Sequence, residues 1–149
     1  MVFRKEVLDL DAQEIADTFI HRLGKAGVMH GFSCKKWLSG KRVSSNILET
    51  SGNLNLSIYF KVRSEEPYRW GITKNRLKEL EGEEKDYVVV LLFESPDRGY
   101  LLTSADVNRY KPTWPLGGDG DYKVQPGKSL GFSEPFFSFG DFVNELLSY

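Results

Sequence analysis

The sequence predicts an α/β fold in which one mixed β-sheet is flanked by helices. Apolar residues alternate with polar ones along the strand predicted to be central, at Leu54, Leu56, Ile58, Phe60 and Val62. Such alternation is typical of a strand with one buried face. Residues 87–93 form a continuous apolar run, as expected of a strand that is covered on both faces. Segments with helical spacing lie before, between and after these strands, which favours a layered α/β domain.

Length and composition bound the class of protein. The 149 residues fit a single domain over 1–149, and a net charge of −1 excludes a uniformly basic nucleic-acid coat while allowing a local basic patch. The chain contains no apolar run long enough to span a membrane, and its first residues lack a signal-peptide core. Because Cys34 is the single cysteine, no internal disulfide is expected, and we expect a cytoplasmic protein without a membrane partner.

The first half of the chain predicts one helix followed by three strands. Asp11 and Glu14 resemble a capping box at the start of the helix, and Gly24 or Gly27 is expected to end it. Strands are predicted over 32–38, 42–49 and 54–63. If Ser51 and Gly52 form a two-residue hairpin turn, Asn46 faces Ser57, Ser44 faces Tyr59, and Arg42 faces Lys61. This register places Val43 and Ile47 on the buried face with Leu56 and Phe60, and turns Glu49 away from the polar face.

The second half predicts a short helix over 74–81 that Thr73 caps, and then the buried strand 87–93. A turn at 95–99 leads to a strand at 100–102 and to a helix that starts at Thr103 or Ser104 and ends at Tyr110. A loop rich in Pro and Gly follows over 111–121, and residues 122–124 are expected to form a short edge strand. Ser138 is the predicted cap of a last helix over 139–147.

Cations and aromatic residues cluster at the end of the central strand. Lys61 and Arg63 are two residues apart, so their side chains point to the same face. With Arg42 opposite them, they would form a basic strip that contacts phosphates, and Tyr68, Arg69 and Trp70 would add stacking or groove contacts. The alternative is a solvated strand face, with the aromatic residues covering the sheet edge. Trp114, in the long loop, is open to either interpretation.

The segment Phe60-Lys61-Val62-Arg63-Ser64, with the following loop, helix and buried strand, resembles the PD-(D/E)XK nucleases, the restriction-endonuclease-like superfamily. The resemblance implies a central strand that carries an acid and, two residues later, a lysine on the same face. It also implies an aspartate on the preceding strand, so that a divalent metal is held for hydrolysis of phosphodiesters.

The residues of this chain depart from that pattern. Lys61 stands at the position of the acid and Arg63 at the position of the lysine, and two cations without a carboxylate repel Mg²⁺. The remaining catalytic candidates are Glu49, Glu65 and Glu66. We therefore expect a degenerate metal site and no cofactor, with Mg²⁺ only if these acids form a rearranged site.

Three functions remain open at this stage. The first is a nuclease-like domain that binds DNA or RNA, or acts as an accessory to a DNA-processing or defence system. The second is a protein-interaction module, suggested by the near-neutral charge and the aromatic loops. The third is a Mg²⁺-dependent endonuclease that uses Glu49, Glu65 or Glu66. The residues leave the oligomeric state and the kind of nucleic acid undetermined.

Overall fold

A five-stranded sheet forms the centre of the computed structural model. The structure describes residues 10–39, 42–131 and 133–149, without the side chains of 39 and 42–44. The elements in chain order are α1 (Ala12–His30), β1 (Phe32–Ser39), β2 (Arg42–Gly52), β3 (Leu56–Arg63), β4 (Trp70–Thr73), α2 (Lys74–Glu81), β5 (Asp86–Phe93), β6 (Gly99–Thr103), α3 (Ser104–Tyr110), β7 (Asp121–Val124) and α4 (Phe139–Leu146). The strand order in the five-stranded sheet is β1-β2-β3-β5-β6. Strands β3 and β5 are parallel, and the other neighbouring strands in this sheet are antiparallel. The predicted fold class, a mixed sheet flanked by helices, is confirmed.

Helix α1 begins as predicted but ends later. Asp11 and Glu14 form the capping box, whereas the helix continues past Gly24 and Gly27 to His30. Gly31 ends it with φ 80°, and its N–H donates to the carbonyl of Gly27 at 2.9 Å. Glycine is needed at position 27 for close packing instead of for helix termination, because a Cβ there would lie 2.3 Å from the carbonyl oxygen of Phe32. No helix among the described ranges combines the length and the apolar character needed to cross a bilayer.

The predicted register between β2 and β3 is wrong by three residues. Ser57 pairs with Glu49 and Tyr59 pairs with Ile47, instead of with Asn46 and Ser44. Because side chains alternate along a strand, an odd shift moves every β2 residue to the other face. Glu49 therefore shares a face with Ser57, and Ile47 packs with Tyr59 instead of joining Leu56 and Phe60.

The turn explains this difference. Strand β2 extends to Gly52, so three residues rather than two connect it to β3. The N–H of Leu56 donates to the Thr50 hydroxyl at 2.9 Å, and this hydroxyl lies 3.3 Å from the Leu56 carbonyl, to which it donates. The Asn55 side-chain amide donates to the Gly52 carbonyl at 2.8 Å. These polar side chains stabilise a wider turn than the two-residue hairpin.

A second layer covers the β3 face that the sequence predicted to be polar. Strand β4, which was not predicted, pairs with β7 in a small antiparallel sheet. The N–H of Thr73 donates to the Tyr59 hydroxyl at 3.1 Å and so links the two layers. The Thr73 hydroxyl donates to Asp121 Oδ1 of β7 at 3.0 Å and makes no capping hydrogen bond to α2, so Thr73 stands at the predicted cap position without the predicted side-chain cap. Ser57 and Tyr59 are consequently 0% and 1% exposed. The expectation of one buried face for β3 is wrong, since both faces are buried up to Phe60.

The sheet thus separates two hydrophobic cores. On the α1 face, Ile58 and Phe60 pack with Phe19 of α1 and Phe142 of α4. The α2 face is packed by α2, α3 and the small sheet. Its aromatic members are Trp37, Tyr59, Trp70, Tyr87, Phe93, Tyr100 and Trp114. Helices α2 and α3 match their predicted bounds, and α4 ends one residue before its predicted end.

Candidate nucleic-acid interface

The parallel strands β3 and β5 end side by side, with Arg63 paired to Phe93. The next residue, Glu94, donates its N–H to the Arg63 carbonyl at 2.9 Å and has φ 66°. Positive φ is uncommon for a residue with a side chain, and such residues cluster at functional sites. In open α/β sheets, ligands bind beyond the carboxyl ends of parallel strands. This end of the sheet is therefore the candidate site.

Arg63 is oriented by its own chain at this strand end. Its half-exposed side chain donates from Nε to the carbonyls of Glu65 at 3.2 Å and Pro67 at 3.0 Å. The terminal guanidinium nitrogens make no hydrogen bond or ion pair to any described residue. Arg63 therefore presents a positioned pair of donors, the geometry that suits bidentate phosphate contacts.

Two further predicted cations lie close to Arg63 in the chain. Lys61 is half-exposed and lies on the same face of β3 as Arg63, and Arg69 is exposed in the loop before β4. Neither forms an ion pair with the residues that the structure describes. Arg42 begins β2, but its side chain lies outside the described residues, and the shifted register removes its predicted pairing with Lys61. Its phosphate contact stays a prediction.

The predicted aromatic contacts divide into core and surface. Trp70 is 2% exposed and its indole N–H donates to the Leu92 carbonyl at 2.9 Å, so it cannot contact nucleic acid. Trp114 is similarly buried, and its indole N–H donates to the Ser129 carbonyl at 2.6 Å. Both tryptophans thus pack the α2 face, which removes the support that an exposed Trp114 would have lent to a protein-interaction module. Tyr68 is half-buried, with its ring 4.9 Å from that of Phe93.

The structure adds three residues that sequence reasoning missed, Glu94, Arg98 and Phe137. The Arg98 guanidinium lies 5.3 Å from the ring centroid of Phe93 and 5.2 Å from that of Phe137, and Arg98 Nη1 donates to Glu94 Oε2 at 2.8 Å. Burial and the neighbouring Glu94 carboxylate raise the pKa of Tyr68 to about 12, so its hydroxyl stays protonated. We call Arg63, Tyr68, Glu94, Arg98 and Phe137 the strand-end surface. Arg98 and Phe137 are far apart in the chain, and no local pattern signalled their contact.

The catalytic candidates do not form a metal site. Glu49 is ion-paired with Lys85, at 3.3 Å between Oε1 and Nζ, and Lys85 also donates to the Thr50 carbonyl at 2.8 Å. Glu65 and Glu66 are exposed in the loop after β3. Within the described ranges, no three His, Cys, Asp or Glu side chains are grouped so that they could hold a metal ion.

A second alignment with the nuclease pattern also lacks its acid. If Lys61 is taken as the lysine, the residue two positions earlier on the same face is Tyr59. That side chain is 1% exposed, and its hydroxyl accepts the Thr73 N–H. A packed phenol is not a ligand of the kind that Mg²⁺ prefers.

No protein-family profile and no curated protein matches the chain. Among solved structures, the chain is similar to Hjc, a Holliday junction resolvase from the archaeal hyperthermophile Archaeoglobus fulgidus. The identity is 13% and the TM-score is 0.48, over 85% of this chain and 98% of that one. No residue role is carried over from that protein.

Proposed function

We propose that the chain binds nucleic acid at the strand-end surface, through phosphate contacts from Arg63 and from its neighbours in the chain Lys61 and Arg69, and does not cleave it. The observation that carries the proposal is the positioned guanidinium of Arg63, held by two backbone carbonyls at the end of parallel strands. Arg98 is ion-paired with Glu94, so the phosphate contacts are assigned to Lys61, Arg63 and Arg69. Binding without cleavage fits an accessory role in a DNA-processing or defence system.

The absence of hydrolysis is proposed from the arrangement of the acids. Glu49 is engaged by Lys85, and the two loop glutamates are exposed in the loop after β3. Metal-assisted phosphodiester hydrolysis needs carboxylates that converge on the ion. The described residues bring no group of three such ligands together.

The test is an anisotropy titration with labelled single-stranded and duplex DNA and RNA, at two salt concentrations, with Mg²⁺ and with chelator. We expect the affinity to fall as the salt concentration rises. The double variant Lys61→Gln/Arg63→Gln should make the plot of log affinity against log salt less steep by about 2, or roughly 1 for each lost phosphate contact. The double variant Lys35→Gln/Lys36→Gln is the matched control, because these exposed lysines lie on β1, two strands from β3, at the level of Ser57 and Ile58 near the start of β3.

Two results would contradict the proposal. A folded double variant with the affinity and salt slope of the wild type would remove the role of these cations. Cleavage that requires Mg²⁺ would show that the acids do assemble on the substrate, and Glu49→Gln, Glu65→Gln and Glu66→Gln would then identify the ligands.

A further inference from the structure

Phe137 is an exposed aromatic residue on a fixed backbone. Its side chain is 59% exposed. The residue before it, Phe136, is 6% exposed and exchanges two backbone hydrogen bonds with Gly99, at 2.7 and 3.1 Å. The residue after it, Ser138, caps α4 by accepting from the N–H of Asp141 at 3.1 Å. The ring of Phe137 is thus presented to solvent from a segment that is tied to β6 on one side and to α4 on the other.

Beneath Phe137, a row of stacked groups leads into the core. Arg98 lies between the rings of Phe137 and Phe93, at 5.2 and 5.3 Å from their centroids. Phe93 in turn contacts Tyr68 at 4.9 Å and Tyr100 at 5.9 Å between ring centroids. The ion pair with Glu94 restrains the Arg98 guanidinium further. One side of the Phe137 ring is therefore supported by a restrained cation, while most of the side chain stays open to solvent.

The chemistry of this position suits a nucleobase. Bases stack on exposed aromatic rings in proteins that bind single strands, and arginine adds a cation–π contribution. The phosphates of the same strand would lie near the unpaired donors of Arg63, on the same strand-end surface. Bases within a duplex are already stacked on their neighbours and do not offer a face to a side chain.

From this arrangement we infer that Phe137, backed by Arg98, stacks one unpaired nucleobase, so that the chain prefers nucleic acid with a single-stranded segment. This inference rests on the proposed nucleic-acid binding and adds the class of ligand. Lys61, Arg63 and Arg69 supply the salt-dependent part of the affinity, and Phe137 supplies the part that requires an unpaired base. A protein ligand at Phe137 is the competing occupant.

The experiment compares a labelled single-stranded DNA, the same strand with abasic sites throughout its centre, and a duplex of equal length. The wild type should bind the intact strand more tightly than the abasic one. Phe137→Ala should weaken binding to the intact strand by about fivefold or more, the range expected for one base–aromatic stack. It should leave the abasic strand, the duplex and the salt slope unchanged, because no charge is removed.

Two variants control for structure. Phe137→Tyr keeps an aromatic ring and should restore the preference for the intact strand. Leu116→Ala removes another exposed apolar side chain, 48% exposed in the loop before β7, and should change nothing. Circular dichroism and thermal unfolding of each variant establish that it is folded.

The outcomes separate the two proposals. Equal affinity of the wild type for intact and abasic strands, with salt-dependent binding retained, would overturn the stacking inference and leave the proposed function standing. An equal loss for duplex and single strand in Phe137→Ala would also overturn it. If no nucleic acid binds at any salt concentration, both proposals fail, and Phe137 becomes the place to look for a protein contact.

Discussion

Cys34 shows how packing determines the chemistry of a single residue. It lies on β1, half-buried against the core on the α1 face. Burial raises the pKa of its thiol to about 11, from the value of about 8.5 for an exposed cysteine. The interpretation of Cys34 as a small packing residue without an activating motif agrees with this environment. Since the thiolate is the reactive form, the folded protein holds this cysteine in its unreactive state at neutral pH.

We expect alkylation of native Cys34 by iodoacetamide to accelerate by about tenfold per pH unit from pH 7 to 10, without a plateau, because the thiolate fraction is still rising. The denatured chain should level off near pH 9. Because the folded state keeps its proton longer than the unfolded state, this group should also lower stability as pH rises from about 8.5 to 11. As this is the single cysteine, the signal has one source. A plateau below pH 9 in the native protein would contradict the raised pKa.

At the scale of elements, the two glycines around the end of α1 have different roles. Gly24 lies inside the helix, and a Cβ built there meets nothing within 4 Å. Gly31 ends the helix at φ 80°, and a Cβ there would lie 2.4 Å from the Asn53 amide nitrogen, which donates to the His30 carbonyl. The sequence prediction chose Gly24 or Gly27 as the end because glycine is common at caps, but the apolar face of α1 continues to Ala26.

These glycines form a matched pair for substitution. Gly24→Ala should stabilise the protein by up to about 1 kcal/mol, since alanine favours a helix interior. Gly31→Ala should destabilise it by about 1–2 kcal/mol, because the left-handed conformation places Cβ against the following carbonyl. Urea unfolding of both variants measures the difference. Effects of the same sign would mean that α1 does not end at Gly31.

The capping residues and the register illustrate which elements could be predicted. Asp11, Thr103 and Ser138 cap their helices as their local patterns indicated. The β2–β3 register could not be predicted, since both faces of β3 are buried and either face of β2 offers apolar partners. The wide turn held by Thr50 and Asn55 selected the register instead.

For the whole molecule, the two cores on either side of the sheet can be followed by different spectroscopic signals. All three tryptophans, Trp37, Trp70 and Trp114, belong to the core on the α2 face. The longest helix, α1, packs on the other face. Tryptophan fluorescence therefore reports one side of the sheet, and far-UV circular dichroism is weighted toward the other. The prediction that residues 1–149 are one domain requires both sides to unfold together.

Ile58 and Ile47 test this coupling, since each is 0% exposed and they lie on opposite faces of neighbouring strands. Ile58→Val and Ile47→Val should each destabilise the protein by about 0.5–1.5 kcal/mol. Ile58→Val should move the fluorescence and circular dichroism transitions equally, although the tryptophans lie on the other side. Transitions that separate, with only the α1 signal displaced, would show two unfolding units.

The sequence by itself determined the fold class, the order of the elements other than β4, and most helix boundaries. These follow from periodicity, capping residues and turn residues, which act between positions close in the chain. Only the tertiary structure decided that both faces of β3 are buried up to Phe60, which aromatic residues are buried, and that Arg98 meets Phe137 and Phe93, the residue paired with Arg63. Those contacts join segments that are distant in sequence. Their geometry depends on the register and on the second layer formed by β4 and β7, which no local pattern specifies.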